Sequence, residues 1–192
     1  ILAGRPMVDI AYLTEKVLKE IRPLDWQRVV EHPIELHIIV TEANEARAVD
    51  FSHFETRQDL LNAIYYSCLM PIIAGMPAVV DERTAYTDGG VATGGICLDE
   101  AIADGSTHVL VLRSGPSGVP KDGFTILELL GYYLLRNEYP RLAEAILHRF
   151  RKLYRRTLIT LAEAERENPQ IEAITLPKDE PLVFSLEMDR EK

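Results

Sequence analysis

The stretch Tyr86-Thr-Asp-Gly-Gly-Val91 is the strongest local signal in this sequence, and the elements around it indicate the fold. Upstream, Gln58–Met70 has the pattern of a helix, which Pro71 ends. Downstream, His108–Leu112 is an entirely apolar run of the kind found in buried central strands. Strands and helices therefore alternate along the chain, which predicts an α/β fold.

The remaining periodicity predicts short elements on both sides of this region. Helices are expected over Met7–Ile21, Leu98–Ala103 (closed by Gly105), Phe124–Arg136 and Pro140–Glu167, and strands over Glu35–Thr41, Ala46–Phe51 (a hairpin partner across Asn44-Glu45), Ala78–Val80, Ile171–Leu176 and Leu182–Leu186. No repeat is visible, and the division we expect is an α/β unit over residues 1–118 followed by a mainly helical extension over residues 119–192.

Composition excludes several classes of protein. The chain has 192 residues, of which 47% are hydrophobic and 27% charged, a balance that excludes disorder, collagen and coiled coil. The net charge of −9 and the absence of a block of Lys and Arg argue against nucleic acid as a partner. No apolar run has the roughly 18 residues that a membrane-spanning helix needs. Two unpaired cysteines, Cys68 and Cys97, favour a reducing cytoplasm.

An ordered set of segments resembles the patatin-like phospholipase family. The segments are Tyr66-Ser-Cys-Leu-Met-Pro71, Tyr86-Thr-Asp-Gly-Gly90, Asp99-Glu-Ala-Ile-Ala-Asp-Gly-Ser106 and His108–Leu112. The resemblance covers roughly residues 5 to 115 and implies the C-terminal part of a three-layer α/β domain. Since a parallel sheet would then be cut between its strands, an edge such as His108–Leu112 would be left open to self-association.

The resemblance also implies a catalytic role for Asp88. In that family a serine on a strand-to-helix elbow attacks a lipid ester, and the Asp of Asp-Gly-Gly takes its proton directly. Asp88 matches this base, and Gly89 and Gly90 match the glycines that permit its tight backbone. No Gly-x-Ser-x-Gly elbow occurs in the sequence, so the partner serine and the oxyanion donors are expected N-terminal to Ile1.

Simpler interpretations remain open at each position. Asp-Gly-Gly is also an ordinary turn sequence, because Asp bonds to nearby backbone and Gly tolerates a positive φ. Ser67, Ser114 and Ser117 are weak candidates for a substitute nucleophile, since each lies at a predicted helix end or in a loop rich in Gly and Pro. The five histidines lack the spacing of a metal site.

Two further clusters allow either a functional or an ordinary structural interpretation. The first is a Pro-bounded apolar group that would line an acyl pocket or simply join the core: Met70, Ile72, Ile73 and Met76. The second is a cationic cluster that forms a solvated helix face or a contact for lipid headgroups or a partner: Arg149, Arg151, Lys152, Arg155 and Arg156.

These observations predict a fragment of a Ser–Asp lipid acyl hydrolase that acts on a lipid or ester and needs no metal or organic cofactor. Its expected partner is the N-terminal part of the same domain, with peripheral membrane contact and a homo-oligomer left open. The alternative is a non-catalytic lipid-binding or protein-interaction module, in which the helical region 124–167 acts and Asp-Gly-Gly is only a turn.

Overall fold

The computed structural model describes residues 6–116, 125–167 and 171–176 of the chain. The predicted strand Leu182–Leu186 and the candidate Ser117 lie outside these ranges.

The N-terminal region is helical, and its first helix is wider than an α-helix. That helix covers Tyr12–Ile21 and is π-type, with the Arg22 amide donating to the Val17 carbonyl oxygen at 2.8 Å. Two α-helices follow it, α1 over Trp26–Val30 and α2 over Arg57–Ser67. A capping box between Thr56 and Asp59 begins α2. The predicted helices in this region are therefore present.

A four-stranded antiparallel sheet forms the centre of the described structure. Its strands are β1 (Ile38–Glu42), β2 (Arg47–Phe51), β3 (Ala78–Val79) and β4 (Ala85–Asp88), in the order β2-β1-β4-β3. All three pairings are antiparallel. The hairpin across Asn44-Glu45 is confirmed, and the Glu42 carboxylate closes its turn by accepting from the Asn44 and Glu45 amides. The expected parallel sheet is wrong for these strands.

The predicted strand at His108–Leu112 exists, but it is not a buried central strand. Two short helices precede it, α3 (Gly90–Thr93) and α4 (Leu98–Ala103), and then β5 (Val109–Pro116) pairs in parallel with β6 (Ile171–Leu176) in a separate two-stranded sheet. Leu110 is 58% exposed and Leu112 is 73% exposed, whereas Val111 is buried. Only one face of β5 is therefore buried, by the cluster that Val111 shares with Leu98 and Leu158.

The C-terminal part is helical, as predicted. It contains α5 (Ile126–Leu135), α6 (Pro140–Glu144), a π-type segment (Ala145–Arg149) and α7 (Phe150–Glu167). One apolar cluster joins this part to the sheet region, with members on both sides of residues 118 and 119: Ala43, Ala46, Ala85, Val91, Leu135, Tyr139, Leu142, Ala143, Ala145 and Ile146. The protein is thus an α/β fold with a helical C-terminal extension that shares a core with the sheet.

Within the described ranges, no helix combines the length and the apolar character that crossing a bilayer requires.

His37, just before β1, makes the stability of the fold depend on pH. Its Nδ1 lies 2.6 Å from Asp50 Oδ2, and its Nε2 lies 3.5 Å from Asp104 Oδ2 and 3.8 Å from Glu35 Oε2. The hydrogen bond to Asp50, helped by the other carboxylates, raises the pKa of His37 above 6.5. Protonated His37 therefore stabilises the folded state fully below pH 6.5, and this stabilisation is lost as the pH rises through the raised pKa.

We expect His37→Gln to lower the melting temperature at pH 5.5 and to leave it nearly unchanged at pH 9. The cost at the lower pH should stay below about 1 kcal/mol, because solvent screens partly exposed ion pairs. Thermal melts at both values measure it, with His108→Gln as the control because the exposed His108 contacts the Thr107 hydroxyl instead of a carboxylate. An equal loss at both pH values would show that the role of His37 is packing instead of charge.

Candidate functional site

Asp88 is the last residue of β4, and hydrogen bonds on both sides fix its backbone. It pairs with Val40 of β1 in the antiparallel ladder. Its amide donates to the Leu69 carbonyl oxygen at 3.1 Å, and the hydroxyl of Thr87 donates to the same oxygen at 2.7 Å. The end of β4 is thereby joined to the start of the Pro-bounded loop, so the two segments singled out in the sequence are neighbours in the fold.

The two glycines after Asp88 are required by space. Gly89 has an ordinary φ of −61°, but a Cβ added there would lie 2.1 Å from the carbonyl oxygen of Ile39 in β1. A Cβ added at Gly90 would lie 2.8 Å from Asp88 Oδ1. A side chain at Gly89 would push β4 away from β1, and one at Gly90 would displace the carboxyl group of Asp88, so the strand pairing depends on the first glycine and the carboxyl position on the second.

The Asp88 carboxyl group is held at one of its two oxygens by the residues that the structure describes. The Gly90 amide donates to Oδ1 at 2.7 Å. Within the described ranges, Oδ2 receives no hydrogen bond. Burial raises the pKa of Asp88 above its usual 3.8, and the bond from Gly90 only partly opposes this effect. The side chain is therefore a fixed carboxyl with elevated basicity and one oxygen available to accept a proton.

Thr41 is a positioning residue that sequence reasoning missed. This side chain of β1 is fully buried, and its hydroxyl donates to the Asp88 carbonyl oxygen at 2.7 Å. The hydroxyl oxygen of Thr41 in turn accepts from the Ala92 amide at 3.1 Å. Thr41 thus links β1, the end of β4 and α3. Its sequence signal is only that of a β-branched residue in a strand, which does not distinguish it from its neighbours.

A cavity of about 290 Å³ lies beside Asp88 and is bordered by part of the predicted apolar group. Met70, Ile72 and Ile73 line it together with Asp88. Met76, the fourth member of the group, is not among the lining residues and is 44% exposed. Three of the four residues are therefore close to the carboxyl group and the fourth is not.

The helical extension forms the opposite wall of the cavity. The sequence predicted these helices but not their place beside Asp88. Leu127 of α5, Ile146 of the π-type segment and Phe150 of α7 all face the cavity. Only the tertiary fold brings these residues to Asp88, because they come from separate helices far along the chain. A larger cleft of about 440 Å³ borders β5, but Asp88 does not line it.

Glu128 brings a charge to this wall, but the charge is already paired. Its carboxylate accepts from Arg151 Nε at 2.7 Å and from Arg151 Nη2 at 3.0 Å, and it also caps α5 through Thr125. Burial alone would raise the pKa of Glu128, but the bonds from Arg151 and Thr125 outweigh it and lower the pKa. Arg151, a member of the cationic cluster, therefore turns towards the cavity wall and neutralises the charge of Glu128 there.

Of the three candidates for a substitute nucleophile, the structure describes the side chain of Ser67 and the strand position of Ser114. The hydroxyl of Ser67, at the end of α2, donates to the Ile64 carbonyl oxygen at 3.0 Å, an ordinary helix-end bond. Ser114 lies within β5. In the described part of the chain, no group of three or more His, Cys, Asp and Glu side chains is placed to hold a metal ion.

Comparison with known proteins gives one partial similarity. No protein-family model matches the chain. Over 85 residues, 44% of this chain, it is 26% identical to the omega-hydroxyceramide transacylase of Homo sapiens. The match covers 16% of that enzyme, so the chain spans only a small part of the length of this curated relative. The chain is therefore similar to a segment of a transacylase.

Proposed function

We propose that Asp88 is the general base of a Ser–Asp acyl hydrolase or acyltransferase of the patatin-like type, with the serine supplied by residues upstream of Ile1. The observation that supports this best is the half-buried carboxyl beside an apolar cavity, with one oxygen fixed by Gly90 and the other accepting no hydrogen bond from the described part of the chain. An ordinary turn needs neither the cavity nor the desolvated carboxyl.

The chemistry follows from the second oxygen of Asp88, Oδ2. As the serine oxygen attacks the ester carbonyl carbon, its proton passes to Asp88 Oδ2, and the protonated carboxyl then gives this proton to the departing alkoxide. The products are an acyl-serine and an alcohol. A second nucleophile transfers its own proton to Asp88 while it attacks the acyl-serine, and Asp88 gives this proton to the serine oxygen as the acyl–serine bond breaks. Water gives a free acid and thus hydrolysis, whereas a lipid hydroxyl gives a new ester and thus transacylation.

The apolar walls suit an acyl chain as substrate. A small pocket lined by aliphatic side chains excludes water from the reacting ester and binds the chain through burial of apolar surface. The ordered resemblance to patatin-like phospholipases and the similarity to a transacylase both support acyl transfer as the class of reaction.

The test uses an extended protein, defined as this chain joined to its natural upstream residues. We expect a Gly-x-Ser-x-Gly motif there, labelling of its serine by a fluorophosphonate probe, and loss of labelling when that serine is replaced by alanine. Ser67→Ala should leave labelling intact. The 192-residue chain alone should not be labelled.

Two results would contradict this function. Labelling of the chain alone would place the nucleophile within it. The absence of both an upstream motif and any labelling in the extended protein would instead favour the non-catalytic lipid-binding or interaction module.

A further inference from the structure

Gly131 of α5 lies directly behind the cavity wall. It is a buried glycine in the middle of the helix, and a Cβ added to it would lie 2.5 Å from Ile72 Cδ1 and 3.6 Å from Ile146 Cγ2. Both of these neighbours line the cavity beside Asp88. Because Gly131 has no side chain, the tip of Ile72 can pack against α5 where a Cβ would otherwise lie.

The backbone of Ile72 cannot easily move away from the helix. Ile72 has a φ of +76°, a left-handed conformation that is costly for a β-branched residue and persists only when the surroundings impose it. Two hydrogen bonds fix its turn: the Ile72 amide donates to the Gly75 carbonyl oxygen at 3.1 Å, and the Ala74 amide donates to the Met70 carbonyl oxygen at 2.8 Å. A methyl group inserted at Gly131 must therefore displace the Ile72 side chain instead of the loop.

The free volume next to Ile72 is the cavity that it lines. Protein interiors are close-packed, so a displaced side chain moves towards unfilled space. At about 290 Å³, this cavity is at the lower limit of pockets that hold small ligands, roughly 300–1,000 Å³, which suits one acyl chain better than two. Intrusion of a single methyl group would therefore shorten the chain that fits.

We propose that Gly131 determines the acyl-chain length that the site accepts, by giving Ile72 Cδ1 room against α5 and so keeping the cavity deep enough for a single unbranched acyl chain. This inference rests on the proposed function of Asp88. It gives the helical extension a specific part in the site, because α5 sets the position of a side chain that belongs to the loop next to Asp88.

The experiment measures kcat/KM of the extended protein for p-nitrophenyl esters with acyl chains from four to sixteen carbons. Gly131→Ala should lower the value for the longest accepted ester by roughly 10-fold or more and leave the shortest esters nearly unchanged, since one methylene in a tight pocket is worth about that much. Alanine also favours a helix more than glycine does, so this variant should fold.

A double variant provides the matched control. Ile72→Val removes the Cδ1 atom that the new methyl group would meet at 2.5 Å. Gly131→Ala combined with Ile72→Val should therefore restore the wild-type chain-length profile, and Ile72→Val alone should extend it towards longer chains. Such coupling between the two positions is not expected from a general loss of stability.

The outcomes separate this inference from the proposed function. Hydrolysis of the ester series with an unchanged profile in Gly131→Ala, or a shifted profile that Ile72→Val does not restore, would overturn the inference alone. Absence of hydrolysis in the wild-type extended protein would overturn the function. In that case calorimetric titration with free fatty acids of the same lengths tests the inference, because binding needs no nucleophile. Gly131→Ala should then weaken the binding of the longest fatty acids and leave that of the shortest nearly unchanged.

Discussion

Asp88→Asn in the extended protein should lower kcat for p-nitrophenyl esters by roughly 10²- to 10⁴-fold, the usual contribution of a general base. Asparagine keeps the shape of the side chain, and its carbonyl oxygen can still accept from the Gly90 amide, so the loss isolates proton transfer. The matched control is Asp99→Asn in the exposed first turn of α4, which should leave turnover unchanged. Near-full activity of Asp88→Asn would show that another group takes the proton.

The same substitution should not cost stability at neutral pH. Because burial raises the pKa of Asp88, the folded protein retains this proton in a pH range where the unfolded chain has released it. Ionised Asp88 therefore weakens the folded state increasingly as the pH rises from 3.8 to the raised pKa, and the full cost remains at higher pH. Asp88→Asn should melt at a higher temperature than the wild type at pH 7, and the difference should disappear below pH 3.8.

Ionisation of Asp88 lowers the stability of the fold, but activity requires it. Only ionised Asp88 can accept the proton of the serine, so wild-type turnover should be lost on acidification at a pH above 3.8. An aspartate that reduces folding stability at neutral pH and supports turnover there is the expected compromise at an active site.

Local signals predicted the elements that position the site. Asn44-Glu45 after the β-branched run Glu35–Thr41 predicted the hairpin of β1 and β2, and Gly105, which has a φ of +88°, ends α4 where expected. Asp-Gly-Gly predicted a tight turn, and Gly89 allows the close approach found there, but the strand that precedes it, β4, was not predicted. These features depend on the conformational preferences of a few adjacent residues, which a sequence displays directly.

The incorrect predictions concern long-range partners. The apolar run His108–Leu112 has the composition of a central strand, but Leu110 and Leu112 are exposed and β5 pairs with β6, more than fifty residues later in the chain. The far wall of the cavity was missed for the same reason. Leu127 and Phe150 have the spacing of ordinary core positions, and only the packing of α5 and α7 against the Pro-bounded loop brings them to the cavity.

Gly89→Ala should destabilise the protein by about 3 kcal/mol or more and abolish labelling by the fluorophosphonate probe. The new methyl group would lie 2.1 Å from the backbone oxygen of Ile39, which cannot move without separating β1 from β4. That separation would also break the bond from Thr41 to the Asp88 carbonyl oxygen. Stability and labelling should therefore be lost together, whereas Asp88→Asn should lose activity without losing stability.

Urea unfolding of the extended protein measures the loss, and Gly131→Ala serves as the steric control. It adds the same methyl group, but against Ile72 Cδ1, the tip of a flexible side chain, and in a helix where alanine is preferred to glycine by about 1 kcal/mol. Its free energy of unfolding should stay within about 1 kcal/mol of the wild type. If Gly89→Ala were equally mild, β4 could shift from β1 without cost, and the close approach of the two strands would not be what holds Asp88 in place.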